Sequence, residues 1–129
     1  MNKFSETSKR RLLTCDVRIQ RVFNEVIKVF DCTVLEGYRP EALQNQYYIE
    51  GKSKVQYPGG KHNTSPSMAI DAMPYPVDWE DLNRICYFAG FVMATAASMG
   101  IPLRWGKDWD RDTDLNDQKF KDGPHYELV

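Results

Sequence analysis

Two histidines, His62 and His125, are the only imidazoles in the chain, and each has an aspartate nearby. Asp71 follows His62, and Asp122 opens the run Asp122-Gly-Pro-His125. Imidazole and carboxylate together are the ligand and general-base chemistry of a zinc hydrolase. A catalytic zinc takes three protein ligands from His, Asp, Glu and Cys and keeps a fourth position for water. Two histidines and one aspartate fill that count, leaving the second aspartate to take a proton from attacking water. By composition alone the signal is weak, because 18 acidic residues place a carboxylate near either histidine by chance. Surface or hydrogen-bonded core histidines are the commoner outcome. Isolated aspartates are more often turn or cap residues, and Asp122-Gly123 is a good turn dipeptide.

These side chains must be held by the elements around them. Leu12, Leu13, Ile19, Val22, Phe23, Val26, Ile27 and Phe30 recur at three and four, which predicts a long N-terminal amphipathic helix with a break near Asp16. Cys32 to Glu36 reads as a short strand ending at Gly37. Pro40 then opens a helix through Ile49 that Gly51 closes. Residues 52–67 are polar and rich in Gly, Pro, Ser and Lys, predicting a long surface loop, and loops of that length usually have a function. Met68 to Met73 resumes a strand. Asp78 is expected to cap a helix from Trp79 to Met99, ended by Gly100. Ile101 to Trp105 and His125 to Leu128 read as two further strands, separated by an acidic loop. Alternation along the strands places Asp71 and His125 on one sheet face, with Tyr126 and Leu128 on the other. The order of elements predicts an α+β fold in which a small antiparallel sheet packs with two long helices.

At 129 residues the chain is expected to form one domain able to bury its own core. A net charge of −1 gives no support for nucleic-acid binding or for capture by an anionic membrane. The opening residues lack the apolar stretch of a secretory signal, so synthesis in the cytoplasm is expected. Cys15, Cys32 and Cys86 are odd in number and widely spaced, which reads as reduced buried thiols and not as metal ligands.

Taken in order, Gly37-Tyr-Arg39-Pro, Gly60-Lys-His62, Ala69-Ile-Asp71, Arg104-Trp-Gly106 and Asp122-Gly-Pro-His125-Tyr-Glu127 span most of the chain. This pattern resembles the zinc D-alanyl-D-alanine peptidase family, nearest to phage endolysins that cut the L-alanyl-D-glutamate bond of peptidoglycan. The resemblance implies a hedgehog/D-Ala-D-Ala-peptidase-like fold and one catalytic zinc on His62, Asp71 and His125. It further implies Asp122 as the base and Arg39 as the arginine that binds substrate and meets the oxyanion. Two features depart from the family pattern, S-x-H-x-x-G-x-A-x-D and E-x-W-H. Eight residues rather than six separate His62 from Asp71, with Gly60 in place of serine, and the base is an aspartate, one methylene shorter than glutamate. Loop insertions cost little in closure entropy, so the ligand set can survive the first departure.

Other residues carry expectations of their own. Gln44 and Tyr48, four apart on the helix after Arg39, are expected to contact substrate, or else to hold that helix down. Ser53 and Lys54 in the long loop can meet a substrate carboxylate or stand as solvated loop residues. Trp105 and Trp109 can wall a cleft, with core packing the alternative for at least one. Glu127 shares a strand face with His125 and can orient it. The run Asp108 to Asp117 alternates acidic residues like the first half of a calcium loop, though the glycine and glutamate of an EF-hand are missing. Ca²⁺ there is an expectation set against an ordinary solvated loop.

The functional expectation is therefore a zinc-dependent peptidoglycan peptidase acting on stem peptides, as a monomer, on the wall once the membrane is permeabilised. Two readings compete with it: a D-alanyl-D-alanine carboxypeptidase or dipeptidase, and a non-catalytic virion or wall-binding module of the same fold.

Overall fold

The computed structural model describes residues 1–116 and 121–129. Among the described residues, four helices pack with a four-stranded antiparallel sheet, so the expected α+β class holds. The helices are α1 (Glu6–Leu12), α2 (Val17–Val26), α3 (Glu41–Ile49) and α4 (Leu82–Ser98). The strands β1 (Cys32–Glu36), β2 (Ala69–Pro74), β3 (Leu103–Trp105) and β4 (His125–Leu128) lie in the order β1-β2-β4-β3. No helix among the described residues is long and apolar enough to cross a membrane.

The N-terminal apolar pattern is divided at the expected place. Ser5 caps α1 by accepting from the Ser8 amide, and Asp16 caps α2 by accepting from the Arg18 amide. Between them the chain leaves helical geometry to pair with the loop before β2: Asp16 N–H donates to Ser67 O at 2.8 Å and Ser67 N–H to Thr14 O at 2.8 Å. This clasp fixes the start of β2, the strand that carries Asp71.

Helices α2 and α4 cover one face of the sheet. Ile19, Val22, Phe23 and Val26 meet Phe88, Ala89 and Val92, and all are fully buried. Tyr126 lies between the layers, edge-on to Phe23 and Phe88 with ring centroids 5.7 and 6.4 Å apart. Since successive strand residues point to opposite faces, burying Tyr126 and Leu128 turns His125 and Glu127 to the other face. There Asp71 stands directly opposite His125, and Ala69 opposite Glu127.

Helix α4 begins later than its sequence suggests. Asp81, not Asp78, is the cap and accepts from the Arg84 amide at 3.1 Å, while Asp78 closes a turn by accepting from the Glu80 amide. Either aspartate can cap. The later one is used, and Trp79 lies outside the helix and stays 57% exposed. Strands β2 and β3 also start one and two residues later than expected, which is the ordinary uncertainty of element ends.

A bulge in β1 matters for the site. Val34 pairs with Ala72, but Glu36 pairs with Asp71, so Leu35 is the extra residue. Without it Glu36 would oppose Ile70 on the core face. The bulge turns the carboxylate to the side of Asp71.

Candidate metal centre

Three side chains converge above the outer face of the sheet. Asp71 comes from β2, His125 from β4, and His62 from a 3₁₀ turn, Lys61–Asn63, in the long loop. His62 Nε2 lies 3.1 Å from Asp71 Oδ1 and 3.3 Å from His125 Nδ1, and His125 Nδ1 lies 3.2 Å from Asp71 Oδ1. A tetrahedral ion with bonds of ~2.0–2.1 Å holds its ligands about 3.3 Å apart, so the triangle has the size a zinc ion requires.

The outer hydrogen bonds determine which imidazole nitrogens face inward. His62 Nδ1 contacts the Gly37 carbonyl at 2.7 Å, and a carbonyl can only accept, so Nδ1 carries the proton and Nε2 a lone pair. His125 Nε2 lies 2.8 Å from Glu127 Oε1, which fixes its proton outward in the same way. Two lone pairs and a carboxylate oxygen then face each other at contact distance, an arrangement that calls for a cation. Such supporting acceptors are the usual partners of metal-binding histidines.

The charges around the triangle agree with this. Burial opposes a charge on His125, yet hydrogen bonds to Asp71 and Glu127 outweigh it and raise its pKa to about 9. Burial also works against ionised Asp71, but the contacts with His125 and His62 hold its carboxyl well below the usual carboxylate range. Glu127 is desolvated too, and its bonds to His125 and Arg104 still bring it down to about 2.

Arg39 follows β1 and is 8% exposed. Its Nε donates to Glu36 Oε1 at 2.7 Å, Nη2 contacts the same oxygen, and Nη1 donates to Gln44 Oε1 at 3.0 Å. The guanidinium lies over the Tyr47 ring at 4.7 Å, and Nη2 stands 3.8 Å from Asp71 Oδ2. Asp122 sits in a tight turn closed by His125 N–H to Asp122 O at 3.2 Å, against Gly106. A Cβ at Gly106 would fall 2.1 Å from the Asp122 carbonyl oxygen, so only glycine allows this approach. Burial, reinforced by the Asp71 charge, pushes the Asp122 carboxyl above the ordinary aspartate value, with partial offset from His125, His62 and Arg39. A carboxylate shifted that way is better matched to proton transfer near neutrality.

All five residues line one cleft of about 690 Å³. The whole chain, residues 1–129, matches the family model described as phage L-alanyl-D-glutamate peptidase. The L-alanyl-D-glutamate peptidase of Escherichia phage T5 is 32% identical over 136 aligned positions, covering 98% of this chain and 98% of that protein. The chain belongs to the phage L-alanyl-D-glutamate peptidase family. The crystal structure of the Serratia marcescens L-Ala D-Glu endopeptidase ChiX superposes with a TM-score of 0.79 at 25% identity, covering 99% of this chain and 91% of that one.

Within this family frame the lengthened interval before Asp71 is taken up locally. Met68 N–H donates to Lys61 O at 2.9 Å, so residues 62–67 form a closed excursion that leaves His62 against Asp71. Asn63 Nδ2 donates to Arg39 O at 3.0 Å and Gly60 N–H to Asn63 Oδ1 at 2.9 Å, pinning the turn to the segment before α3.

Not every expected residue reaches the cleft. Gln44 does, though as a strut: its Nε2 donates to Ser53 Oγ at 3.0 Å and to Val55 O at 2.6 Å. Ser53 and Lys54 also line it. Tyr48 does not; it is 41% exposed, and Tyr47, one residue earlier, takes the inward position under Arg39. Trp105 is a core residue, 6% exposed, with Nε1 donating to Gly123 O at 2.7 Å, so it supports the Asp122 turn from beneath. Trp109 forms the cleft wall instead, its ring 5.5 Å from that of His125. Glu36 and Trp79 were not anticipated. The only signal for Glu36 was its spacing of three from Arg39.

In the acidic loop, ligand oxygens of Asp108, Asp110 and Asp112 lie within 4.8 Å of one another. Several carboxylates of this loop accept backbone amides, such as Asp108 Oδ2 from Thr113 at 3.0 Å and Asp112 Oδ1 from Asp114 at 2.8 Å. Asp117, the end of the expected calcium run, lies outside the described residues.

Proposed function

We propose that the protein is a zinc-dependent peptidoglycan peptidase that hydrolyses the L-alanyl-D-glutamate bond of the stem peptide. The observation that carries the zinc is the triangle of two imidazole nitrogens and a carboxylate oxygen, 3.1–3.3 Å on each side, with the outer imidazole nitrogens held by the Gly37 carbonyl and Glu127. The bond specificity rests on the names of the relatives, two of which describe this cleavage.

His62 Nε2, Asp71 Oδ1 and His125 Nδ1 would hold the ion. When bound, zinc supplies a Lewis acid that polarises the scissile carbonyl and makes water available as a nucleophile at neutral pH. Asp122 takes the proton of the attacking water and returns it to the leaving amine, a role suited to its raised pKa. Arg39 presents a fixed positive charge where negative charge develops, and its orientation is set by Glu36, Gln44 and Tyr47 rather than by the substrate. Trp109 and Trp79 wall the cleft and limit water around the reacting groups.

The test is digestion of purified peptidoglycan by zinc-loaded protein, with mass spectrometry of the products. Free L-Ala carboxyl ends on the sugar-linked part are expected. Released D-Ala would favour the carboxypeptidase reading instead. Uncleaved wall across roughly pH 6 to 9 would favour a binding module.

A further inference from the structure

The cleft is lopsided in charge. Two of its acidic groups are occupied, Asp71 by the two histidines and Glu127 by His125 and Arg104, and the third, Asp122, is the one assigned to proton transfer. On the wall formed by the long loop, Lys52, Lys54 and Lys61 all line the cavity. Lys52 is paired with Glu50 at 3.2 Å. Lys61 has no ion pair among the described residues, and it precedes the metal-ligand candidate His62 in the same 3₁₀ turn. Its backbone is fixed, with Lys61 O accepting from Met68 N–H at 2.9 Å, so the side chain starts from a defined point beside the triangle.

The substrate chemistry asks for a cation in that position. In the stem peptide D-glutamate is joined onward through its γ-carboxyl, so the Cα that bears the leaving nitrogen also bears a free α-carboxylate. This anion lies two bonds from the scissile nitrogen and must enter the cleft wherever the bond is cut. Arg39 is committed elsewhere, to the developing oxyanion, and Glu36 and Gln44 hold its guanidinium in that orientation. A buried carboxylate without a partner is costly. Lys61 is a cation on the cleft wall, next to His62 in the chain, with no ion pair among the described residues.

Resting on the peptidase reading above, we propose that Lys61 forms the subsite for the α-carboxylate of the D-glutamyl residue, so that the enzyme selects free D-glutamate over its α-amide, D-isoglutamine. Lysine suits the task because its ammonium is a compact charge on a flexible stem. A hydrogen bond between charged groups is typically worth about ten- to a hundredfold in discrimination.

The experiment compares two soluble stem peptides that differ only in carboxylate against amide at that carbon, measured as kcat/KM with zinc-loaded protein. Wild type is expected to prefer the carboxylate by about ten- to a hundredfold. In Lys61→Met the ratio should fall toward one, and in Lys61→Arg, which keeps the charge, most of the preference should return. Lys28→Met, exposed just after α2, paired with Glu25 and outside the cleft lining, is the control and should keep the wild-type ratio. A second readout is calorimetric binding of the two peptides to Asp122→Asn, alone and combined with Lys61→Met, which should show the same loss of preference without turnover. A wild-type ratio near one, or a ratio that survives Lys61→Met, overturns the subsite while cleavage itself upholds the peptidase reading. Failure of wild type to cleave or bind either peptide overturns the peptidase reading and the subsite with it.

Discussion

Glu127 Oε1 accepts the Nε2 proton of His125 at 2.8 Å from two residues further along the same strand face. Its other oxygen accepts from Arg104 Nη2 at 2.7 Å. The carboxylate is thus held between a cation and an imidazole, and it fixes the His125 tautomer that leaves Nδ1 facing the triangle. Glu127→Gln removes the charge and permits the opposite hydrogen-bond sense. Zinc affinity is expected to fall about 10- to 100-fold, read by competition with a chelator of known strength. An affinity within about twofold of wild type would mean that His125 is oriented by β4 alone.

Ligands and base separate in a second set of variants. His62→Ala and His125→Ala should lose both metal and activity. Asp122→Asn should keep the metal and lose roughly 10²- to 10⁴-fold in turnover, since it retains shape but not proton affinity. Thermal unfolding gives an independent check. Zinc at a thousandfold excess over its Kd adds about 4 kcal/mol of stability, so a chelator should lower the unfolding midpoint of wild type and Asp122→Asn, but not of His62→Ala. Near-normal rates in Asp122→Asn would move the proton-transfer role elsewhere.

Much of this site could be read from residue order, because strand periodicity is local. Asp71 and His125 were placed on one face by alternation, and Tyr126 and Leu128 on the other, and the register confirms that placement. Glu36 was invisible for the same reason. Its period groups it with Cys32 and Val34 on the core face, and only the extra residue at Leu35 turns it toward Asp71. Tyr47 and Tyr48 flank Gln44 at three and four residues and are equivalent by helix spacing, so the choice between them depends on where Arg39 lies. Trp105 and Trp109 were likewise separated by tertiary packing, with one drawn into the core and the other left against His125. Asp78 and Asp81 are both competent caps, and sequence has no means of ranking them.

Gly37 is required by a close approach. A Cβ there would stand 2.3 Å from Thr14 Oγ1 and 2.5 Å from the Arg11 carbonyl oxygen. The Gly37 carbonyl is also the acceptor that sets the His62 tautomer. Gly37→Ala must therefore move α1 or displace the acceptor. A loss of about 1–3 kcal/mol in stability is expected, together with weaker metal binding, read by denaturant unfolding and chelator competition. Unchanged stability with intact metal binding would show that the α1–β1 junction yields without cost.

The three cysteines differ in what surrounds them, and this sets a pH dependence apart from the active site. Burial pushes the thiols of Cys15 and Cys32 up to about 12 from an ordinary 9.0, and they are 1% and 4% exposed. Both should stay protonated and unreactive toward a thiol reagent at about pH 8, leaving the half-buried Cys86 as the single site that labels in the native protein. The sign of the stability effect follows from linkage. A thiol whose folded pKa is raised binds more protons folded than unfolded between the two values, so its contribution is intact below pH 9.0 and is lost as pH climbs toward about 12. Each thiol can contribute a slope of up to about 1.4 kcal/mol per pH unit in that window. Denaturant unfolding at a series of alkaline pH values should therefore show stability falling from pH 9.0 upward, and Cys32→Ala should flatten the slope while leaving a cavity cost at neutral pH. Labelling of more than one thiol in the native protein, or a flat profile above pH 9.0, would mean that the layer beneath the sheet opens to solvent more readily than its packing implies.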